Sequence, residues 1–138
     1  MEIQAGQRAV DFTAEDIFGS RIALTDYRGK PLLLSFYRYA GCPLCNYRIE
    51  KLTLLAPRFR RLGLEMLAVF QSPKDSILYY VDKKDTPFSI IADPDRNLYR
   101  AYGVEPSLKG LFKGAIRLPA LLLAASRGIF PGKIEGNP

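Results

Sequence analysis

The hydrophobic residues of the chain follow two kinds of pattern. Some form short continuous apolar runs, which predict strands with both faces covered. These runs are Pro31–Tyr37, Leu64–Phe70 and Phe88–Ala92. The first of them is the most uninterrupted, and it predicts a central strand of the sheet.

Between these runs the apolar residues recur every three or four positions, which is typical of one buried face of a helix. The first such stretch extends from Cys45 to Leu62 and is stopped by Gly63. A second helix is predicted over Pro73–Lys84, with Ser72 as its N-cap and proline in the first helical position. A short third helix is predicted over Asn97–Tyr102, closed by a glycine.

Strands and helices therefore alternate along most of the chain, which is the pattern of an α/β protein with a sheet between layers of helices. Before them, Asp11–Thr13 and Ile22–Leu24 predict a hairpin at the sheet edge. After them, Ser107–Arg117 predicts an amphipathic helix. The segment Leu118–Ala125 favours a further helix over a strand, because alanine and leucine are strong helix formers. The Gly- and Pro-rich tail from Gly128 reads as a loop.

The composition fits one soluble domain over residues 1–138. A hydrophobic fraction of 48% in 138 residues is ample for a core but leaves little for a second domain. No apolar run reaches the roughly 18 residues of a membrane span, so no transmembrane segment is expected. The start of the chain lacks the basic and apolar regions of a secretory signal, which indicates the cytoplasm.

Histidine is absent from the chain. This excludes a Ser-His-Asp triad, a Cys-His nucleophile and a His-containing zinc site built from this chain alone. The net charge of +6 is spread along the sequence and is accompanied by no recognition motif, so no nucleic-acid partner is expected.

The only two cysteines, Cys42 and Cys45, are separated by two residues and follow the first apolar run. At the start of a helix, free amide groups and the helix dipole stabilise an anion, which lowers the pKa of a thiol and favours the reactive thiolate. Two sulfurs at this spacing can also close a disulfide, so that one thiol resolves an adduct on the other. Arg38 and Arg48 would add positive potential.

Two other interpretations of the pair stay open. A zinc site would need two further ligands, which would have to be carboxylates or come from a second chain. A pair buried only for packing is also common, because free cysteine behaves as a small hydrophobic residue. A reducing compartment and the position after a core strand favour redox chemistry over both.

Several stretches, in their order along the chain, resemble AhpC/TSA-type peroxiredoxins of the thioredoxin-like superfamily. They are Ala9–Thr13, Leu24–Tyr37, Phe88–Asp95 and Ala101–Val104. Gly41–Cys45 and Lys109–Gly136 are more narrowly similar to the peroxiredoxin-like 2 group. The resemblance covers nearly the whole chain, and it implies a thioredoxin-like fold with a mixed central sheet flanked by helices.

The resemblance further implies a thiol-dependent redox enzyme that reduces peroxides or disulfides through a Cys42/Cys45 cycle. Its implied partners are a peroxide or disulfide substrate and an external reductant of thioredoxin or glutathione type, and neither a cofactor nor a metal is required. A general disulfide reductase is one alternative. Another is a non-enzymatic redox-sensing or interaction module that docks through the amphipathic Ser107–Ala125 segment.

The sequence departs from the family pattern at the site itself. Typical peroxiredoxins carry a P-x-x-x-T-x-x-C motif, and an ungapped alignment places Arg38 at the proline, Cys42 at the threonine and Cys45 at the peroxidatic cysteine. A thioredoxin-like alignment instead makes Cys42 the attacking thiol and Cys45 the resolving one. Which cysteine attacks is therefore left open by the sequence.

A second departure concerns the end of the chain. The C-terminal strands and helix of a thioredoxin-like fold have no convincing counterpart after Gly136. We therefore expect a sheet edge without its usual partner strand, and such an edge favours pairing with a second copy of the chain as a homodimer.

Overall fold

The structure is a computed structural model that describes residues 2–81 and 86–104. In chain order its strands and helices are β1 (Thr13–Glu15), β2 (Arg21–Ala23), β3 (Leu32–Tyr37), α1 (Pro43–Arg61), β4 (Glu65–Phe70), α2 (Lys74–Val81), β5 (Ser89–Ala92) and α3 (Asn97–Ala101). The predicted alternation of strands and helices is confirmed. The elements predicted after residue 104, the end of the second predicted helix and the expected loss of C-terminal strands lie outside the described residues.

Three parallel strands form the main sheet, in the order β3-β4-β5. β3 pairs with β4 along its whole length, with Leu34 opposite Leu67, and β4 pairs with β5, with Val69 opposite Ile91. Each parallel pair is joined by a helical crossover, as parallel strands require.

Among the described strands, β4 lies between two neighbours, and every residue from Met66 to Phe70 is buried. β3 has a strand neighbour on one side within the described part of the chain, and its Leu33 is 36% exposed. The prediction that β3 is a central strand depends also on residues outside the described part, so it stays a prediction.

The predicted hairpin is present as β1 and β2, which pair antiparallel. The carboxylate of Asp16 accepts hydrogen bonds from the backbone N–H groups of Phe18 and Ser20, at 2.9 and 2.8 Å, and Gly19 has a φ of 85° that favours glycine. The amide of Ile17 donates to the carbonyl of Ile90 at 2.9 Å, which attaches the hairpin to β5.

Alternate residues of β4 point into two cores. Ala68 and Phe70 pack with side chains of α1 and α2, and the two cysteines belong to this cluster. Leu67 and Val69 pack with Leu98 and Tyr99 of α3 and with the hairpin on the other face. Each fully buried aliphatic or aromatic side chain contributes about 1.5–3 kcal/mol, so both cores hold the sheet between two covering layers.

The ends of α1 follow from local sequence. Pro43 occupies its first turn, where its missing N–H is not needed, and Gly63 follows the helix with a φ of 79°. Both features were predicted. The helix thus begins directly at the cysteine pair and holds both sulfurs at the carboxyl end of the parallel sheet.

Candidate active site

Cys42 is the N-cap residue of α1. Its backbone is extended, with φ −69° and ψ 118°, and its Sγ accepts a hydrogen bond from the backbone N–H of Cys45 at 3.5 Å. An N-cap side chain satisfies one of the four N–H groups that the first turn of a helix leaves unpaired. Here a sulfur fills a role that a serine or aspartate oxygen usually has.

Cys45 lies about one turn further along α1. Its Sγ accepts a hydrogen bond from the backbone N–H of Arg38 at 3.4 Å, and its thiol is hydrogen-bonded to Cys42. Both cysteines are free thiols, and their residues are 6% and 7% exposed. The structure therefore brings the two predicted residues together, joined by a sulfur–sulfur hydrogen bond.

The surroundings shift the pKa values of the two thiols in opposite directions. The hydrogen bond from Cys45 lowers the pKa of Cys42 to about 6, with further lowering by the amides of Cys45 and Leu44 and by the charge of Arg38, against a rise from burial. For Cys45 the same hydrogen bond, burial and the nearby Cys42 charge raise the pKa. Near neutral pH Cys42 is a thiolate, and Cys45 remains a thiol that donates to it.

Aromatic residues surround the pair. Burial, followed by the charge of Cys42, raises the pKa of the half-buried Tyr39. Tyr37 stacks on Phe70 with ring centroids 5.1 Å apart, and the hydroxyl of Tyr99 donates to the carbonyl of Tyr37. The wall behind the sulfurs is thus apolar and internally hydrogen-bonded, which keeps water away from the Cys45 thiol.

The two arginines expected to act on the cysteines differ in the structure. Arg38 contributes to the lowered pKa of Cys42, as predicted. The charge of Arg48 acts on Tyr37, where it opposes the rise in pKa caused by burial.

Two side chains of the site were missed by sequence reasoning. Ser72 was predicted to cap α2, but its Oγ accepts from the backbone N–H of Ala40, at 2.8 Å, and α2 begins at Lys74. Asn46 donates to the carbonyl oxygens of Ala40 and Cys42. The signal available for Asn46 was its position next to the cysteine pair, on the side of α1 that carries Cys42 and Ile49.

A second concave feature lies at the opposite end of the sheet. A cavity of about 100 Å³ is lined by residues from the amino ends of β4 and β5 and the last turns of α1, among them Arg60, Glu65 and Ser89. It contains neither cysteine. In parallel α/β sheets ligands bind at the carboxyl ends of strands, where the cysteine pair is located.

Neither a cluster of metal ligands nor a membrane-spanning helix is present in residues 2–81 and 86–104. These residues contain no group of three or more His, Cys, Asp or Glu side chains placed to hold a metal ion. Their helices include none long and apolar enough to cross a membrane.

Known proteins similar to this chain fall into two functional groups. ResA, a thiol-disulfide oxidoreductase of Halalkalibacterium halodurans, is 32% identical over 104 residues, which are 75% of this chain and 58% of that protein. The chloroplastic peroxiredoxin Q of Gentiana triflora is 24% identical over 113 residues, 82% of this chain and 52% of the relative. The chain thus spans a little over half the length of these relatives.

Solved structures show the fold. Peroxidoxin BcpB of Mycobacterium tuberculosis superimposes with a TM-score of 0.68 at 20% identity, over 75% of this chain and 68% of that one. Peroxiredoxin Q of Xanthomonas campestris gives a TM-score of 0.65 at 24% identity, over 69% and 60% of the two chains. The predicted thioredoxin-like fold is confirmed.

The comparison with protein-family models agrees with both sets of relatives. The model of the AhpC/TSA family matches residues 5–129, which include the hairpin, the sheet and the cysteine pair. The predicted resemblance is therefore confirmed, and the chain belongs to the AhpC/TSA family.

Proposed function

We propose that this protein is a thiol-dependent oxidoreductase in which Cys42 attacks the substrate and Cys45 resolves the adduct. The observation that carries the proposal is the position of Cys42 as N-cap of α1, where its sulfur receives hydrogen bonds from an amide and from the Cys45 thiol. This arrangement favours the thioredoxin-like assignment of the two cysteines over the ungapped peroxiredoxin alignment.

The reaction that fits this geometry best is reduction of a substrate disulfide. The Cys42 thiolate attacks one sulfur, the substrate S–S bond breaks, and the other substrate half leaves as a thiolate that takes up a proton. The Cys45 thiol then loses its proton and attacks the Cys42 sulfur. This closes the Cys42–Cys45 disulfide and releases the second substrate thiolate, so two electrons have passed from the protein to the substrate.

A second candidate is reduction of peroxides, favoured by the similarity to peroxiredoxin Q. The Cys42 thiolate would attack one peroxide oxygen, which breaks the O–O bond, leaves a sulfenic acid and releases an alkoxide or hydroxide that takes up a proton to give an alcohol or water. Cys45 would condense with the sulfenic acid and release water. No threonine stands three residues before either cysteine, so a group that orients peroxide in typical family members is missing here.

Either cycle ends with an internal disulfide, so the proposal includes an external dithiol or glutathione-type reductant as partner. We also propose a cytoplasmic location, where such reductants keep a dithiol reduced. Pairing of two copies through a sheet edge belongs to the proposal as well, because an edge strand offers N–H and C=O groups to a second chain.

The test is turnover of a model disulfide and of a peroxide by the native protein, Cys42→Ser and Cys45→Ser. We expect Cys42→Ser to lose all turnover, and Cys45→Ser to lose turnover but trap a mixed disulfide on Cys42, identified by mass spectrometry. Peroxide turnover with a sulfenic acid on Cys42 would select the second candidate. A native protein inactive in both assays would refute an enzymatic role.

A further inference from the structure

The backbone N–H and the backbone carbonyl of Ala40 each form a hydrogen bond with a side chain from elsewhere in the chain. Its N–H donates to Oγ of Ser72, at 2.8 Å, and its carbonyl accepts from Nδ2 of Asn46, at 2.6 Å. Ala40 and Ser72 are 0% exposed and Asn46 is 2% exposed. Because water does not reach the backbone of Ala40, these two side chains supply the hydrogen-bond partners that its buried N–H and carbonyl groups require.

Asn46 also binds the cysteine itself. Its Nδ2 donates to the carbonyl of Cys42 at 2.9 Å, and its backbone N–H donates to the same carbonyl at 3.0 Å. One side chain therefore ties two carbonyls of the loop before α1 to the first turn of the helix, while Ser72 ties the loop to the end of β4. We call Ser72 and Asn46 the loop clamp.

The loop clamp acts on Cys42, whose sulfur must lie close to the first amides of α1. The hydrogen bond from the Cys45 amide to Cys42 Sγ spans 3.5 Å, and a displacement of the loop that carries Cys42 would lengthen it. The backbone angles of Cys42 and its neighbours, together with the side-chain torsion of Cys42, set this distance, and the two clamp residues restrain the backbone part from either side.

We propose that Asn46 and Ser72 are positioning residues that keep the Cys42 sulfur within reach of the amide groups at the start of α1. The inference rests on the proposed function, in which Cys42 attacks. Both residues are buried, and each acts through the backbone of Ala40 or Cys42. Without the clamp the loop relaxes, the sulfur loses its amide donor, and the thiolate becomes less stable.

The test compares Asn46→Ala, Asn46→Gln and Ser72→Ala with the native protein, by ultraviolet absorbance of the thiolate during a pH titration and by the rate of alkylation. We expect Asn46→Ala to raise the titration midpoint of Cys42 by about one pKa unit and to slow alkylation at pH 6 roughly fivefold. Ser72→Ala shifts it in the same direction, and Asn46→Gln, which keeps an amide donor, lies closer to the native value.

Thr53→Ala is the matched control. The Thr53 hydroxyl donates to the carbonyl of Ile49 at 2.8 Å, on the same helix and away from the loop. Its loss removes one hydrogen bond of α1 and should leave the Cys42 titration unchanged. If Asn46→Ala and Ser72→Ala lower the stability but leave the midpoint unshifted, as in this control, the clamp is only structural and the inference is wrong.

The two proposals fail in different ways. The titration needs no substrate, so it decides the role of the clamp even if the native protein turns over neither disulfide nor peroxide. Ser72→Ala removes only one oxygen and keeps the test decisive if Asn46→Ala does not fold. An unshifted midpoint in an active enzyme would refute the clamp and leave the proposed function standing.

Discussion

Two strand-to-helix junctions at the same end of the sheet use their helix amides differently. Between β5 and α3, the carboxylate of Asp93 accepts from the amides of Asn97, Leu98 and Tyr99, at 2.9, 2.8 and 3.3 Å. Between β3 and α1, the sulfur of Cys42 accepts from the amide of Cys45 at 3.5 Å. Both junctions place an anion against the positive end of a helix.

The two junctions differ in what the capping group does: Asp93 stabilises the fold, whereas Cys42 carries a reactive group. Asp93 is 6% exposed and satisfies three amides with two oxygens, so it serves the fold. Cys42 is equally buried, but its anion is a polarisable thiolate whose formation depends on pH. A residue that optimised the α1 junction in the same way as Asp93 would remove the proposed nucleophile. Weaker capping at α1 is thus the expected cost of a reactive group.

The largest effect is expected at the α3 junction. Asp93→Ala leaves three buried or half-buried amides without their acceptor, so we expect the free energy of unfolding to fall by about 2–4 kcal/mol. Urea denaturation measures the loss. The exposed Asp95→Ala serves as control and should change stability by less than about 0.5 kcal/mol. A small loss for Asp93→Ala would show that the carboxylate is not the main cap of α3.

Changing the capping residue of α1 tests the same comparison at the other junction. Cys42→Asp makes the α1 junction resemble the α3 junction, and it should be about 1 kcal/mol more stable than Cys42→Ala because aspartate is a good N-cap and alanine a poor one. Both variants should be inactive. Equal stability of the two variants by urea denaturation would mean that residue 42 contributes no capping interaction.

The smallest effect concerns charge near the thiolate. Arg38→Gln removes a cation that lowers the pKa of Cys42, so the midpoint should rise by less than one unit, and the difference should shrink in high salt. Arg48→Gln is the matched control, because the charge of that residue acts on Tyr37 instead. The same thiolate titration measures both. A shift as large for Arg48→Gln would contradict the assignment of Arg38.

The local sequence pattern was sufficient to predict the strands and helices and to select the cysteine pair as the candidate site. The apolar runs, Pro43 and Gly63 determine where strands and helices begin and end, and each acts through its immediate neighbours. The strand order could not be predicted in this way, because it depends on which strands pair across the sheet and not on the apolar content of each run.

The polar contacts of the site depend on long-range packing and were the least predictable part. Ser72 fits a capping pattern for α2, yet its hydroxyl meets Ala40, 32 positions earlier in the chain. Asp93 was predicted only as part of a turn, and its capping of three amides emerges from the backbone path that includes Arg96 at a φ of 58°. Such contacts follow from the fold once it has formed.

The most direct test of the account is the ionisation of the two thiols in the reduced native protein. Thiolate absorbance and alkylation are followed from about pH 4.5 to 9.5, with peptide mapping to identify the modified residue. We expect Cys42 to react first, with a midpoint near pH 6, while Cys45 stays unmodified through neutral pH. A midpoint above about pH 8 for Cys42, or earlier modification of Cys45, would contradict it.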